Sequence, residues 1–169
     1  VFSPEFFDQK WIIEYLSRSV PDETSVFVKQ HPNHVGQQSP LWIRRLSQIQ
    51  NVQFLCPELN AHEIISESEA TVVTNNTVGF EALFYSTPLV VLGQAFYRDT
   101  PAVRTVDTLS NLRSAVTATI RGDVSEEDRV ASIHSLREAV FDVERYGSIE
   151  RHASGAASGI LAFTEYLST

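Results

Sequence analysis

The feature that most constrains this chain is an alternation. Four short apolar runs rich in β-branched residues, at 25–29 (SVFVK), 51–56 (NVQFLC), 70–74 (ATVVT) and 88–93 (PLVVLG), are separated by segments of helical spacing. Runs of this length, bounded by turn residues, read as buried strands. A helix is expected from the Ser3-Pro4-Glu5 start signal to about Arg18, with Phe6, Phe7, Ile12, Ile13 and Leu16 on its apolar stripe. Others are expected at 39–49, from Asn60, at 77–86, 108–121 and 125–145, and from about Ile149 to Leu167. Residues 94–106 read as an irregular loop. Val130, Ile133, Leu136, Val140 and Val143 fall at helical spacing as core and cover. Strands alternating with helices through short connections demand a parallel sheet covered on both faces. With right-handed crossovers, the expectation is an α/β, doubly wound, Rossmann-like parallel sheet of four to five strands, with extra C-terminal helices.

Composition narrows the function. A length of 169 residues builds one hydrophobic core, so residues 1–169 are expected to form a single domain. The formal net charge of -8 argues against a nucleic-acid partner, because phosphate backbones are held by basic patches. A single small phosphate needs only local donors. No apolar run approaches the roughly 20 residues of a membrane span. The lone cysteine, Cys56, cannot form an internal disulfide, and its place in an apolar run reads as a buried, inert thiol. The chain begins at Val1 and contains no methionine, so a fragment of a larger two-domain protein is expected.

Three expected strand ends carry unusual polar content, and in an open parallel sheet all would face one crevice. The first is Lys29-Gln30-His31-Pro32-Asn33-His34, a cluster of three potential cations. His31 could stabilise or donate to a phosphate leaving group, with Lys29 alongside; a lone histidine is equally at home as a structural residue. The second is Thr74-Asn75-Asn76-Thr77, which leads into a helix N-terminus. Free N–H groups there favour an anion, and Thr74, Asn76 and Thr77 add donors; ordinary helix capping is the competing reading. Gly79 leaves room for a ligand or a neighbouring strand. Glu81, one turn below Thr77, could accept from ribose hydroxyls or sit as a solvated or salt-bridged glutamate. The third is Gly93-Gln94-Ala95-Phe96-Tyr97-Arg98, where Gln94, Phe96, Tyr97 and Arg98 could line a sugar or base pocket, or the two aromatics could pack on the domain itself. No metal-ligand spacing, GxGxxG or Walker pattern is present, so no metal or cofactor is expected.

Taken in order, Val28-Lys29-Gln30-His31-Pro32, then Thr77-Val78-Gly79-Phe80-Glu81-Ala82-Leu83, then Pro88-Leu89-Val90-Val91-Leu92-Gly93 with Phe96-Tyr97, resemble the capsule polysaccharide biosynthesis family. Its members include bacterial Kdo transferases of GT-B architecture. The resemblance spans about residues 4–97. It implies a glycosyltransferase whose C-terminal domain, represented here, binds a nucleotide-sugar donor, CMP-Kdo in the best-known members. It further implies phosphate contacts at His31, Asn76 and Thr77 and a ribose contact at Glu81. The partners implied are a saccharide or glycolipid acceptor and a missing N-terminal domain. The location expected is the cytoplasm, with peripheral association at the inner face of the plasma membrane open to the full-length protein. Asn75 and Asn76 stand where family members often have serines, and Arg98-Asp99-Thr100-Pro101 replaces a glycine-tryptophan stretch, so the donor sugar is left open.

Two other functions compete. A nucleotide-sugar 2-epimerase-like enzyme shares the histidine-proline-asparagine segment, yet its Ser-Gly-Gly loop and Glu-Arg-Pro-Glu type segment are missing. A non-catalytic GT-B-like binding domain would keep the fold without turnover.

Overall fold

The computed structural model describes residues 6, 8–21, 23–30, 36, 38–74, 76–122 and 124–146, with side chains as far as residue 137. In chain order the elements are α1 (Gln9–Ser17), β1 (Val26–Lys29), α2 (Pro40–Leu46), β2 (Val52–Leu55), α3 (Ala61–Ser66), β3 (Thr71–Val73) and α4 (Thr77–Ala82), which continues as a 3-10 turn over Leu83–Tyr85. β4 (Leu89–Leu92), β5 (Val103–Val106), α5 (Leu112–Ile120) and α6 (Glu126–Tyr146) follow.

Every strand pairing is parallel. β1 lies beside β2 in the register Val26↔Val52 to Lys29↔Leu55, and β4 lies between β3 and β5. All four residues of β4 are buried, and its alternating side chains enter two cores. Leu89 and Val91 pack with Ile65, Val73, Phe80, Leu83, Tyr97 and Leu136. Val90 and Leu92 pack with Phe6, Ile12, Val106, Leu112 and Val116 on the opposite face. A central strand buried on both faces is the signature of a sheet with helices on either side, and the fold is Rossmann-like α/β.

The structure departs from the sequence reading at four places. First, the segment read as an irregular loop contains β5. Val103-Arg104-Thr105-Val106 shows no clean alternation and follows Pro101, so its strand character comes from pairing with β4. Second, the five strands among the described residues form two separate ladders, β1-β2 and β3-β4-β5. Leu16 and Val20 pack against a core of each, so side chains at the end of α1 and in the turn beyond it join the two groups. Third, Cys56 is exposed rather than buried. It follows the last residue of β2 and already belongs to the turn, where its Sγ lies 2.7 Å from Glu58 Oε2. Fourth, Val130 is exposed. α6 docks through Ser132, Ile133 and Leu136, a face from which Val130 points away. The Ser132 hydroxyl accepts from Ala102 N at 2.8 Å and donates to Asp128 O at 2.8 Å, which ties α6 to the start of β5.

Helix starts follow local chemistry. Asp8 caps α1 by accepting from Lys10 N, and Asn60 caps α3 by accepting from His62 N. Ser39 precedes Pro40 at the first turn of α2 but makes no side-chain cap. Ser125 and Asp128 form a reciprocal capping box at α6: Asp128 N donates to Ser125 Oγ, and Ser125 N donates to Asp128 Oδ2. The expected start at Ser3-Pro4-Glu5, Phe7, and the final helix from Ile149 lie outside the described residues, and so do the side chains of Val140 and Val143. Among the described residues no helix is long and apolar enough to cross a membrane.

Candidate functional site

The turn from β3 into α4 is built by three contacts. Asn76 has extended backbone angles and caps α4, its Oδ1 accepting from Gly79 N at 3.3 Å. Its main-chain carbonyl accepts from the Tyr97 hydroxyl at 2.5 Å. Gly79 is the point of closest approach: a Cβ there would overlap the Tyr97 hydroxyl and lie 2.7 Å from Val73 Cγ2. What the missing side chain at Gly79 admits is therefore the protein's own tyrosine and strand. The Asn76 side chain occupies only the Gly79 N–H, and it leaves aside those of Thr77 and Val78 in the same first turn. Thr74 and Thr77 are partly buried beside this turn, and Asn75 lies outside the described residues.

The turn after β4 meets it. Gly93 takes φ 91, a left-handed conformation that favours glycine, and its carbonyl accepts from Arg98 Nη1 at 2.7 Å. Arg98 Nη2 reaches Asp107 Oδ1 at 2.7 Å, so one guanidinium bridges the carboxyl ends of β4 and β5. Tyr97 is 1% exposed and packs in the core. Burial pushes its phenol pKa up, the Asn76 bond opposes this, and the charge of Glu81 adds to it. Phe96 is 45% exposed, its ring 5.6 Å from Phe80 and 4.9 Å from Tyr97. Gln94 is exposed. Of these four candidates, Phe96 and Gln94 face solvent, Tyr97 packs on the domain, and Arg98 is engaged as a clamp.

Glu81 sits on α4, partly buried, one turn below Thr77. Burial raises its carboxyl pKa, and the positive charge of His62 works against that rise. His62 Nδ1 lies 3.8 Å from Glu81 Oε2 across the α3–α4 contact. His62 was not legible in the sequence, because its partner is 19 positions away on another helix and no local spacing connects them.

Lys29, at the end of β1, donates from Nζ to Pro57 O at 2.9 Å. It is thus bonded to the turn after β2. That turn leads into α3, which carries His62. His31, with Pro32, Asn33 and His34, lies outside the described residues. Among the described residues no cluster of three or more His, Cys, Asp or Glu could hold a metal ion.

The family model described as "Capsule polysaccharide biosynthesis protein" matches residues 5–114, well over half of the chain. The chain belongs to the capsule polysaccharide biosynthesis family. The capsule-family segment takes in all five strands and the turns at Asn76 and Arg98, and it ends within α5. α6 lies beyond it. No curated protein and no solved structure matches the chain.

Proposed function

We propose that this chain is the nucleotide-sugar-binding domain of a glycosyltransferase that builds a surface or capsular polysaccharide. The observation that carries the reading is the junction at Asn76. There the carboxyl ends of two adjacent parallel strands, β3 and β4, meet over the first turn of α4, with a partly buried carboxylate one turn below. Ligands of open α/β sheets bind beyond the carboxyl ends of their strands, and a helix start favours a phosphate. Within a family of capsule biosynthesis proteins, an activated sugar phosphate is the substrate that fits such a junction.

In this reading the Thr77 and Val78 N–H groups and the Thr74 and Thr77 hydroxyls receive the phosphate. Glu81 accepts from ribose hydroxyls. Phe96 and Gln94 lie toward the sugar or base. His31 is assigned from the sequence to the departing phosphate, with Lys29 adding positive charge nearby. CMP-Kdo is the leading donor. A second, N-terminal α/β domain of the full-length protein would supply the acceptor site and the catalytic carboxylate, in a GT-B arrangement.

Titration calorimetry of the chain with CMP, CDP, UDP and GDP tests this. Binding by one nucleotide is expected, and His31→Ala and Glu81→Ala should each weaken it by about tenfold or more, the worth of a charge-assisted hydrogen bond. A chain that binds none of the four at millimolar concentration would instead be a non-catalytic domain that kept the fold.

A further inference from the structure

We propose that His62 is a positioning residue for Glu81, fixing the carboxylate that the nucleotide site described above would use. The inference rests on that reading of the site. His62 Nδ1 lies 3.8 Å from Glu81 Oε2. The imidazole is itself held in place. Its own main-chain N–H is taken by the Asn60 cap at 3.0 Å, which fixes the first turn of α3, and its ring lies 5.5 Å from the Tyr85 ring. Among the described residues, His62 is the only ion-pair partner of Glu81.

Among the described residues this pairing has no competing ion pair. β3 and β4, which pack against α4, carry no titratable side chain. The 3-10 turn after α4 contributes Tyr85, and the loop after β4 contributes Tyr97, whose hydroxyl is committed to Asn76. On α3 the other ionisable group is Glu63, whose Oε1 meets the Asn60 side-chain amide. Burial disfavours the ionised form of this carboxylate, and the imidazole 3.8 Å away opposes that effect and gives the carboxylate a direction. Glu81 could accept two ribose hydroxyls only if its oxygens stay ionised and turned toward them. His62 touches the carboxylate and not the ligand, so its effect passes entirely through Glu81.

The decisive experiment compares His62→Gln in two backgrounds. The probe is whichever of CMP, CDP, UDP and GDP the chain binds most tightly. In the wild-type background, His62→Gln should weaken binding by about two- to fivefold, the range for a partly exposed ion pair. In the Glu81→Gln background the same change should have no further effect. Carbon-detected NMR of the Glu81 carboxyl should show its titration midpoint moving upward in His62→Gln. Equal weakening in both backgrounds, or an unmoved Glu81 midpoint, would overturn the role of His62 while leaving the nucleotide reading standing. If the wild-type chain binds none of the four nucleotides, the site reading falls and this role falls with it.

Discussion

The Tyr97 hydroxyl reaches across 2.5 Å to the main-chain carbonyl of Asn76, joining the loop after β4 to the first residue of the α4 cap. α4 is six residues long, too short to hold itself in water. Its start is therefore placed by the neighbouring strand as much as by its own turn. Two polar segments that lie 21 positions apart become one structural unit through this bond. Any ligand at the α4 start would inherit its precision from Tyr97.

Tyr97→Phe is expected to destabilise the chain by about 0.5–1.5 kcal/mol, since a part-buried main-chain carbonyl loses its partner. Gly79→Ala should cost about 1–3 kcal/mol through overlap with that same hydroxyl and with Val73. The two changes should not add. With the hydroxyl gone, the alanine methyl meets less resistance, and the double variant should be more stable than the sum predicts. Urea unfolding of the four proteins measures the coupling, and additivity within about 0.5 kcal/mol would rule it out.

Arg98 makes a second test of how the strand ends are held. Its guanidinium spans Gly93 O and Asp107 Oδ1, each at 2.7 Å. A lysine has no planar fork and keeps at most one of these bonds. Arg98→Lys and Arg98→Met should lower stability by about 1–2 kcal/mol. Asp107→Asn should cost less than about 1 kcal/mol, because that carboxylate is largely exposed. Thermal melts at low and high salt separate the contributions: the carbonyl bond should persist in salt while the Asp107 contribution fades.

The parts of the fold legible in the sequence were those fixed by local pattern. Leu89 to Leu92 form an unbroken apolar run that only a doubly covered strand can bury, and Asn60, Asn76 and the Ser125–Asp128 pair announce their helix starts. β5 was illegible because Arg104 and Thr105 interrupt its pattern and its strand character is borrowed from β4. At the candidate site, the turn at Asn76 could be read from strand, polar residues and helix in succession. That Tyr97 would leave the surface to bond Asn76, that Arg98 would clamp two strands, and that His62 would meet Glu81 are all long-range facts. No spacing along the chain encodes them.

Cys56 gives a direct check on the β2 end. Its apolar neighbours suggest burial, yet it is exposed in the turn beside Glu58. The native chain should therefore react with a thiol reagent such as DTNB to one equivalent, the same stoichiometry as the denatured chain. Reaction only after denaturant is added would place the thiol in the core instead. Cys56→Ser should change stability by no more than about 0.5 kcal/mol, as expected of an exposed position.

Glu81 ties stability to pH in a direction opposite to most carboxylates. Burial raises its pKa in the folded chain above the ordinary glutamate value. Between the unfolded and folded values the native state therefore binds more protons than the unfolded state, and the stability of the fold falls as pH rises through that window. Below the window the group is protonated in both states and the penalty vanishes; above it the penalty is complete. Glu81→Gln removes the charge at nearly constant shape, so at neutral pH the variant should be more stable than wild type. The difference should disappear in acid below the ordinary glutamate range. His62 offsets part of the penalty, so His62→Ala should enlarge the stabilising effect of Glu81→Gln at pH values where histidine would be charged. Urea unfolding at acidic and neutral pH decides the matter, and a Glu81→Gln chain less stable than wild type at neutral pH would mean the carboxylate supports the fold. A carboxylate held at a cost to stability, one turn below the α4 start, would fit the binding role proposed for Glu81.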